Sequence, residues 1–171
     1  MKININNKFK KGFTLIEVIL YLSIFIILIT LCGIAMQTVN ESSSKNKEMM
    51  KIDNDANHIL YLMTNYIKNS ERIISPSANS NSDSMQIKLQ NSSTTVSFGV
   101  VNGELFVNEG GNGNVTLTSP DEKVDSLLIT NLGTNGTSGA VEIIMTLSST
   151  KEDLGYNKYT KTYEVSASPR F

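Results

Sequence analysis

From Phe13 to Met36 the chain is apolar apart from Thr14, Glu17, Ser23 and Thr30. A helix of roughly 20 residues suffices to cross the ~30 Å hydrocarbon layer of a bilayer, so the pattern predicts a transmembrane helix. A polar patch follows at Glu41–Glu48, and apolar residues then return at Met49, Ile52, Ala56, Ile59, Leu60, Met63, Tyr66, Ile67, Ile73 and Ile74. That spacing of three and four lines one helical face and leaves it in need of a cover. No proline interrupts Phe13–Ser75, and Pro76 pushes the residue before it out of helical geometry. The spacing therefore predicts one helix of about 60 residues, on the order of 90 Å long, with Gly33 and Ser42-Ser43-Ser44 as its weakest stretches.

Beyond Pro76 the period drops to two. Ser77–Ser84 reads as a polar loop, after which Met85, Ile87, Leu89 and then Val96, Phe98, Val100 alternate with polar residues as half-buried strands do. Asn102-Gly103 is a hairpin signal leading into Glu104–Asn108. Further strands are predicted at Val115–Thr118, Leu127–Leu132, Val141–Leu147 and Tyr159–Val165. They are divided by Glu109–Asn114, Gly133–Gly139 and Thr150–Asn157. The expected fold is α+β, with one long N-terminal helix whose amphipathic half packs on an antiparallel β-sheet. Its segments are residues 1–12, a basic leader; 13–36, the membrane helix; 37–75, the amphipathic continuation; and 76–171, the sheet-rich part.

Composition narrows the chemistry. The 171 residues leave room for one domain and an anchor. A net charge of -1 gives no bulk attraction for nucleic acid, and no direct nucleic acid binding is expected. The single cysteine, Cys32, lies in the apolar run, which leaves no internal disulfide and no thiolate cluster to hold a metal. Lys2, Lys8, Lys10 and Lys11 precede the run with no acidic residue among them, so the N-terminus is expected in the cytoplasm and the rest outside it. An ordinary secretory signal has a shorter apolar region and a small-x-small site, which Gln37-Thr38-Val39 does not offer, and a lipoprotein signal on Cys32 would follow a small residue rather than Leu31.

Glu17 is the anomaly. An ionised carboxylate in a bilayer costs about 2.5–3.5 kcal/mol on insertion scales and ordinarily marks a function and a partner. The stretch Lys11-Gly12-Phe13-Thr14-Leu15-Ile16-Glu17 resembles the class III signal of type IV pilins and pseudopilins. The resemblance implies cleavage between Gly12 and Phe13 by a prepilin peptidase and N-methylation of the new Phe13 amine. It also implies pairing of Glu17 with the amine of a neighbouring subunit in a filament. The competing reading is an uncleaved anchor whose glutamate snorkels to the headgroups. The order of later elements, with "NGELF", "VTLTSPDEKVDSLLITN" and "VEIIMTL", is similar to PilW-like minor pilins and J-type pseudopilins. The run lacks the helix-breaking proline that pilins often carry near its outer end.

The resemblance implies a structural minor pilin in the initiating or tip complex of a cell-surface filament. Its expected partners are other major and minor pilins, the prepilin peptidase and methyltransferase, the inner-membrane assembly platform, and lipid through residues 13–36. Within the class, the alternatives are a competence or type II secretion pseudopilin; from another class, a singly anchored adhesion module that never polymerises. No enzyme activity, cofactor or metal is expected. His58 is the only histidine and reads as a helix-surface residue, and Asp53 and Asp55 read as solvated. Asp121, Glu122, Asp125, Glu152 and Asp153 fall in predicted loops and could meet around a cation, an alternative that spacing alone leaves open.

Overall fold

In the computed structural model the described residues are 12–90, 92–134, 139–150 and 158–170. They form one helix and nine strands: α1 (Leu15–Lys68), β1 (Ser70–Ser75), β2 (Ser80–Ser82), β3 (Met85–Leu89), β4 (Thr95–Val101), β5 (Glu104–Glu109), β6 (Asn114–Thr116), β7 (Glu122–Asn131), β8 (Val141–Ser149) and β9 (Thr160–Ala167). The chain divides into two compact units, Met1–Asn46 and Lys47–Phe171, and residues of α1 belong to both.

In the first unit the apolar side chains of α1, from Leu15 to Val39, are exposed. The helix is long and apolar enough to cross a membrane. The three hydroxyls of Ser23, Thr30 and Thr38 are already satisfied: Ser23 Oγ donates to the Ile19 carbonyl at 2.7 Å, Thr30 Oγ1 to Ile26 at 2.9 Å and Thr38 Oγ1 to Ile34 at 3.1 Å. Each bond runs back one turn, so none of these groups has to find water inside hydrocarbon.

The second unit is organised by the other part of α1. Ile52, Ala56, Ile59, Leu60, Met63 and Ile67 recur at helical spacing and are buried. Two antiparallel sheets complete the core with them. The first, in the order β1-β3-β4-β5-β6, contributes Met85, Ile87, Val96, Phe98, Leu105 and Val107; the second, in the order β2-β7-β8-β9, contributes Val124, Leu127, Ile129, Val141, Ile143, Met145, Leu147 and Ala167. The expected α+β arrangement of a long helix against antiparallel strands is present, with its cover divided between two sheets instead of one. The sheets meet at the β4–β5 hairpin. Asn102 and Gly103 both take positive φ (55° and 85°), as a tight two-residue turn between twisted strands requires, and the Gly103 carbonyl at its tip accepts the Val124 N–H of β7 at 2.8 Å.

Three boundaries differ from those expected. The helix ends at Lys68, not near Ser75, and Ser70–Ser75 is a strand paired with β3. Register shifts at both ends of that pairing destroy its alternation, so the adjacent Ile73 and Ile74 resemble the next helical turn. The true stop is made by capping: Ser70 Oγ donates to the Ile67 carbonyl at 2.7 Å, and the Arg170 N–H reaches the Lys68 carbonyl at 3.1 Å. Within the expected loop Ser77–Ser84, β2 pairs with the end of β7 through an all-polar Ser-Asn-Ser that carries no periodicity. Finally, β7 begins at Glu122 rather than Leu127, because a bulge between Val124 and Ser126 lets Val124 and Leu127, three residues apart, both face the core. The expected Gly133–Gly139 and Thr150–Asn157 loops lie partly outside the described residues.

Ile59 is fully buried whereas Tyr61, two residues on, is 68% exposed. Ile59→Ala is expected to lower the unfolding free energy by about 2–5 kcal/mol, and Tyr61→Ala to change it by less than about 0.5 kcal/mol. Denaturant unfolding of the two variants checks the assignment of the helix's buried face.

Candidate functional site

The N-terminal segment is built from the start of α1. Gly12 and Phe13 precede the helix, and the Thr14 carbonyl accepts the first helical N–H groups, from Glu17 at 3.1 Å and Val18 at 3.3 Å. Thr14 is thus the N-cap, and Glu17 lies in the first turn, where the helix dipole favours a negative charge. Nothing lies within 4 Å of where a Gly12 Cβ would stand, and Phe13 is 76% exposed, with its ring edge-on to Tyr21 at a centroid separation of 6.5 Å. The Glu17 carboxylate receives the Tyr21 hydroxyl at 3.4 Å, a long contact. No cation pairs with it among the described residues. Gly12, Phe13 and Glu17 therefore lie together at one helix end: an uncovered backbone, an uncovered aromatic residue and an unmatched charge.

A second polar group joins the part of α1 from Lys47 to Lys68 to the second sheet and the loop before it. Asp53 and Asp55, expected to be solvated, are half-buried and bonded. Asp53 accepts from Lys161 Nζ of β9 at 2.7 Å and from the Tyr163 hydroxyl. The bond to Lys161 and then that to Tyr163 hold its carboxyl below the ordinary aspartate value, and burial followed by the Asp53 bond pushes the Tyr163 phenol up. Asp55 accepts from Ser119 Oγ at 2.7 Å, while Lys51 Nζ pairs with Asp121 at 3.0 Å. The periodicity that located the buried face of α1 could not locate these contacts, because their partners are some 64 to 110 residues away in the chain.

Glu122 differs from its neighbours. It is only 4% exposed, and no donor reaches either of its carboxylate oxygens. Burial, then its contact with Asp55, raises its pKa to about 7. Asp125, by contrast, pairs with Lys158 at 3.4 Å, and Glu152 and Asp153 lie outside the described residues. Among the described residues no group of three His, Cys, Asp or Glu side chains is placed to hold a metal ion. His58 is exposed on α1. The Glu109–Asn114 stretch forms the turn between β5 and β6, with the Gly111 N–H donating to Asn108 Oδ1 at 3.0 Å.

Because Asp53 is stabilised as an anion, its contribution is present above the ordinary value of 3.8 and is lost as pH falls through its lower folded value. Asp53→Asn is expected to melt below the parent at pH 6, with the gap closing as pH drops below about 3.8. Melting temperatures measured across that range check the sign.

No curated protein and no solved structure matches the chain. A family model described as the prokaryotic N-terminal methylation motif does match, over residues 7–32. That span takes in Gly12, Phe13, Glu17 and most of the exposed apolar run. The chain thus carries at its N-terminus the prokaryotic N-terminal methylation motif, the class III signal of type IV pilins, on a long apolar helix.

Proposed function

We propose that this protein is a structural minor pilin, made as a precursor and built into the initiating or tip complex of a membrane-assembled filament. The observation that carries the reading is Glu17: one carboxylate in the first turn of an exposed apolar helix, with no cationic partner of its own among the described residues. In a lone subunit such a group opposes membrane burial. A neighbour's N-terminal amine would reverse that balance by supplying the opposite charge in a medium of low dielectric. Assembly would then satisfy a charge that the fold leaves open.

The flanking residues fit the preceding step. Gly12 has no side chain, and its surroundings are open, so a peptidase can take the backbone on either side of the Gly12–Phe13 bond. Cutting there would remove the basic leader, leave the apolar helix on the mature chain and create the amine at Phe13 that methylation modifies. In this reading the leader faces the cytoplasm and the helix anchors the mature chain once through the cytoplasmic membrane. The globular part lies outside, and the partners are the prepilin peptidase and methyltransferase, other pilins and the inner-membrane assembly platform.

The test is the mature N-terminus together with two sets of variants. Mass spectrometry should find a chain beginning with methylated Phe13; a chain that keeps its leader opposes the proposal. Gly12→Val should accumulate uncut precursor, because a branched side chain obstructs the approach to the scissile bond. Glu17→Ala and Glu17→Gln should both insert and be cut normally, yet enter sheared filaments several-fold less. Normal incorporation of both would make Glu17 an ordinary interfacial residue.

A further inference from the structure

We propose that the outer face of the first sheet carries a binding site for an uncharged sugar, in a cleft between two neighbouring hairpin turns. The alternation of the strands places it. Met85 and Ile87 of β3, Val96 and Phe98 of β4, and Leu105 and Val107 of β5 are buried in the core, so the residues between them face away from it. Register sets Gln86 opposite Ser97 and Ser97 opposite Asn108, one polar row across three strands. The β3–β4 turn and the β5–β6 turn leave the sheet at the same end. There a cleft of about 560 Å³ has Gln86, Ser97 and Asn108 as its floor, Ser93, Thr94 and Thr95 along one wall, and Gly110 and Gly111 along the other. Its volume is in the range of small-molecule sites.

The walls are braced and most of the polar side chains are free. Ser92 Oγ donates to Thr94 Oγ1 at 2.8 Å and accepts the Thr94 N–H at 3.0 Å. The Gly110 N–H donates to the Thr95 carbonyl at 2.9 Å, while Asn108 accepts the Gly111 N–H at 3.0 Å and donates to Asn114 at 2.9 Å. Gly110 has a φ of 62°, and a Cβ there would stand 3.3 Å from Thr94 Cγ2, so a glycine lets the two turns come this close. The side chains of Gln86, Ser93, Thr95 and Ser97, by contrast, make no hydrogen bond among the described residues. They offer one amide and three hydroxyls, each able both to donate and to accept.

The lining decides the class of ligand. None of the described side chains lining the cleft is charged. Lys88, opposite Thr95 in the register, is paired with Glu71 at 2.8 Å, and Glu109 accepts the Tyr66 hydroxyl of α1. A nucleic acid or other phosphate ligand would call for free Lys or Arg. A protein partner would call for a desolvated anchor pocket, which hydroxyls, amides and glycines do not make. A sugar ring presents hydroxyls that donate and accept around its whole edge, and these side chains do the same. The floor stands on strands packed against the core, so its groups are held in place before a ligand arrives. The site lies within the Lys47–Phe171 unit and does not depend on the reading of Glu17.

The test is an NMR titration of the isotope-labelled full chain in dodecylphosphocholine micelles, whose headgroup carries no sugar. The probes are the methyl glycosides of glucose, galactose, mannose and N-acetylglucosamine, with glucuronate and glucose phosphate as charged counterparts. At least one neutral glycoside is expected to shift the amide signals of Ser97, Asn108 and Gly110 and to saturate at about 1–10 mM, with the charged counterparts binding no more tightly. Ser97→Val keeps a strand-forming residue but removes a hydroxyl from the floor, and should weaken that binding about tenfold. The proposal is overturned if no neutral glycoside gives a saturating shift up to about 50 mM. Shifts centred away from the cleft, tighter binding of the charged counterparts, or undiminished binding by a folded Ser97→Val overturn it equally. The shifts mapped on the parent chain decide the matter whether or not the variant folds.

Discussion

A helical stripe from Ile52 to Ile67 must be kept from water, and the rest of the Lys47–Phe171 unit is arranged to do it. Six buried residues on one face cannot be covered by a single narrow hairpin, and the strands supply two inner faces that contribute fourteen further buried apolar side chains to the same cluster. The division into two sheets follows from that demand. At about 25 cal/mol per Å² of apolar surface removed from water, continuous coverage matters more than any single polar contact. The hairpin tip at Gly103, which bonds to β7, marks where one sheet hands the cover to the other.

Polar groups then fix how the second sheet lies on the helix. Hydrophobic burial is not directional, so a smooth stripe and a smooth sheet would tolerate sliding. Asp53 reaches Lys161 and Tyr163 on β9, while Asp55 reaches Ser119 before β7. These pairs are half-exposed and contribute little as isolated ion pairs, but their geometry is satisfied in one register. Glu122 shows the cost of the same strategy where burial is deeper. The Glu17 carboxylate on the apolar helix is a related case: among the described residues no cation pairs with it.

The sequence shows the two ends of this organisation more clearly than its middle. Periodicity located the buried residues of α1, and alternation located β3 and β4, whose apolar residues Met85, Ile87, Leu89 and Val96, Phe98, Val100 recur at every second position. The hairpin was visible in Asn102-Gly103, since few other pairs accept positive φ at both positions. Where alternation is broken by register shifts, as in β1 and at the start of β7, the strand or its boundary was hidden. Where the strand is wholly polar, as in β2, there was no signal at all. The Gly12–Glu17 segment was legible because its chemistry is local, six residues in a row. The Asp55–Ser119 and Asp53–Tyr163 contacts were not, because their two halves acquire meaning only when distant segments are brought together.

The end of α1 has a consequence for how the molecule comes into being. Its final carbonyl is closed by the backbone of Arg170, and Gln90 ties to the same tail through a 2.7 Å bond to the Arg170 carbonyl. Strand β9, which lines the second sheet, also comes from that last stretch of chain. No shorter N-terminal fragment holds all the parts of the core. A ribosome emits the chain in order, so the apolar helix is complete while the globular unit is still open, its helix end uncapped and its second sheet one strand short. Contacts between such distant segments also form slowly. The long apolar helix is therefore complete before the last strand that the core of the globular unit needs has been made.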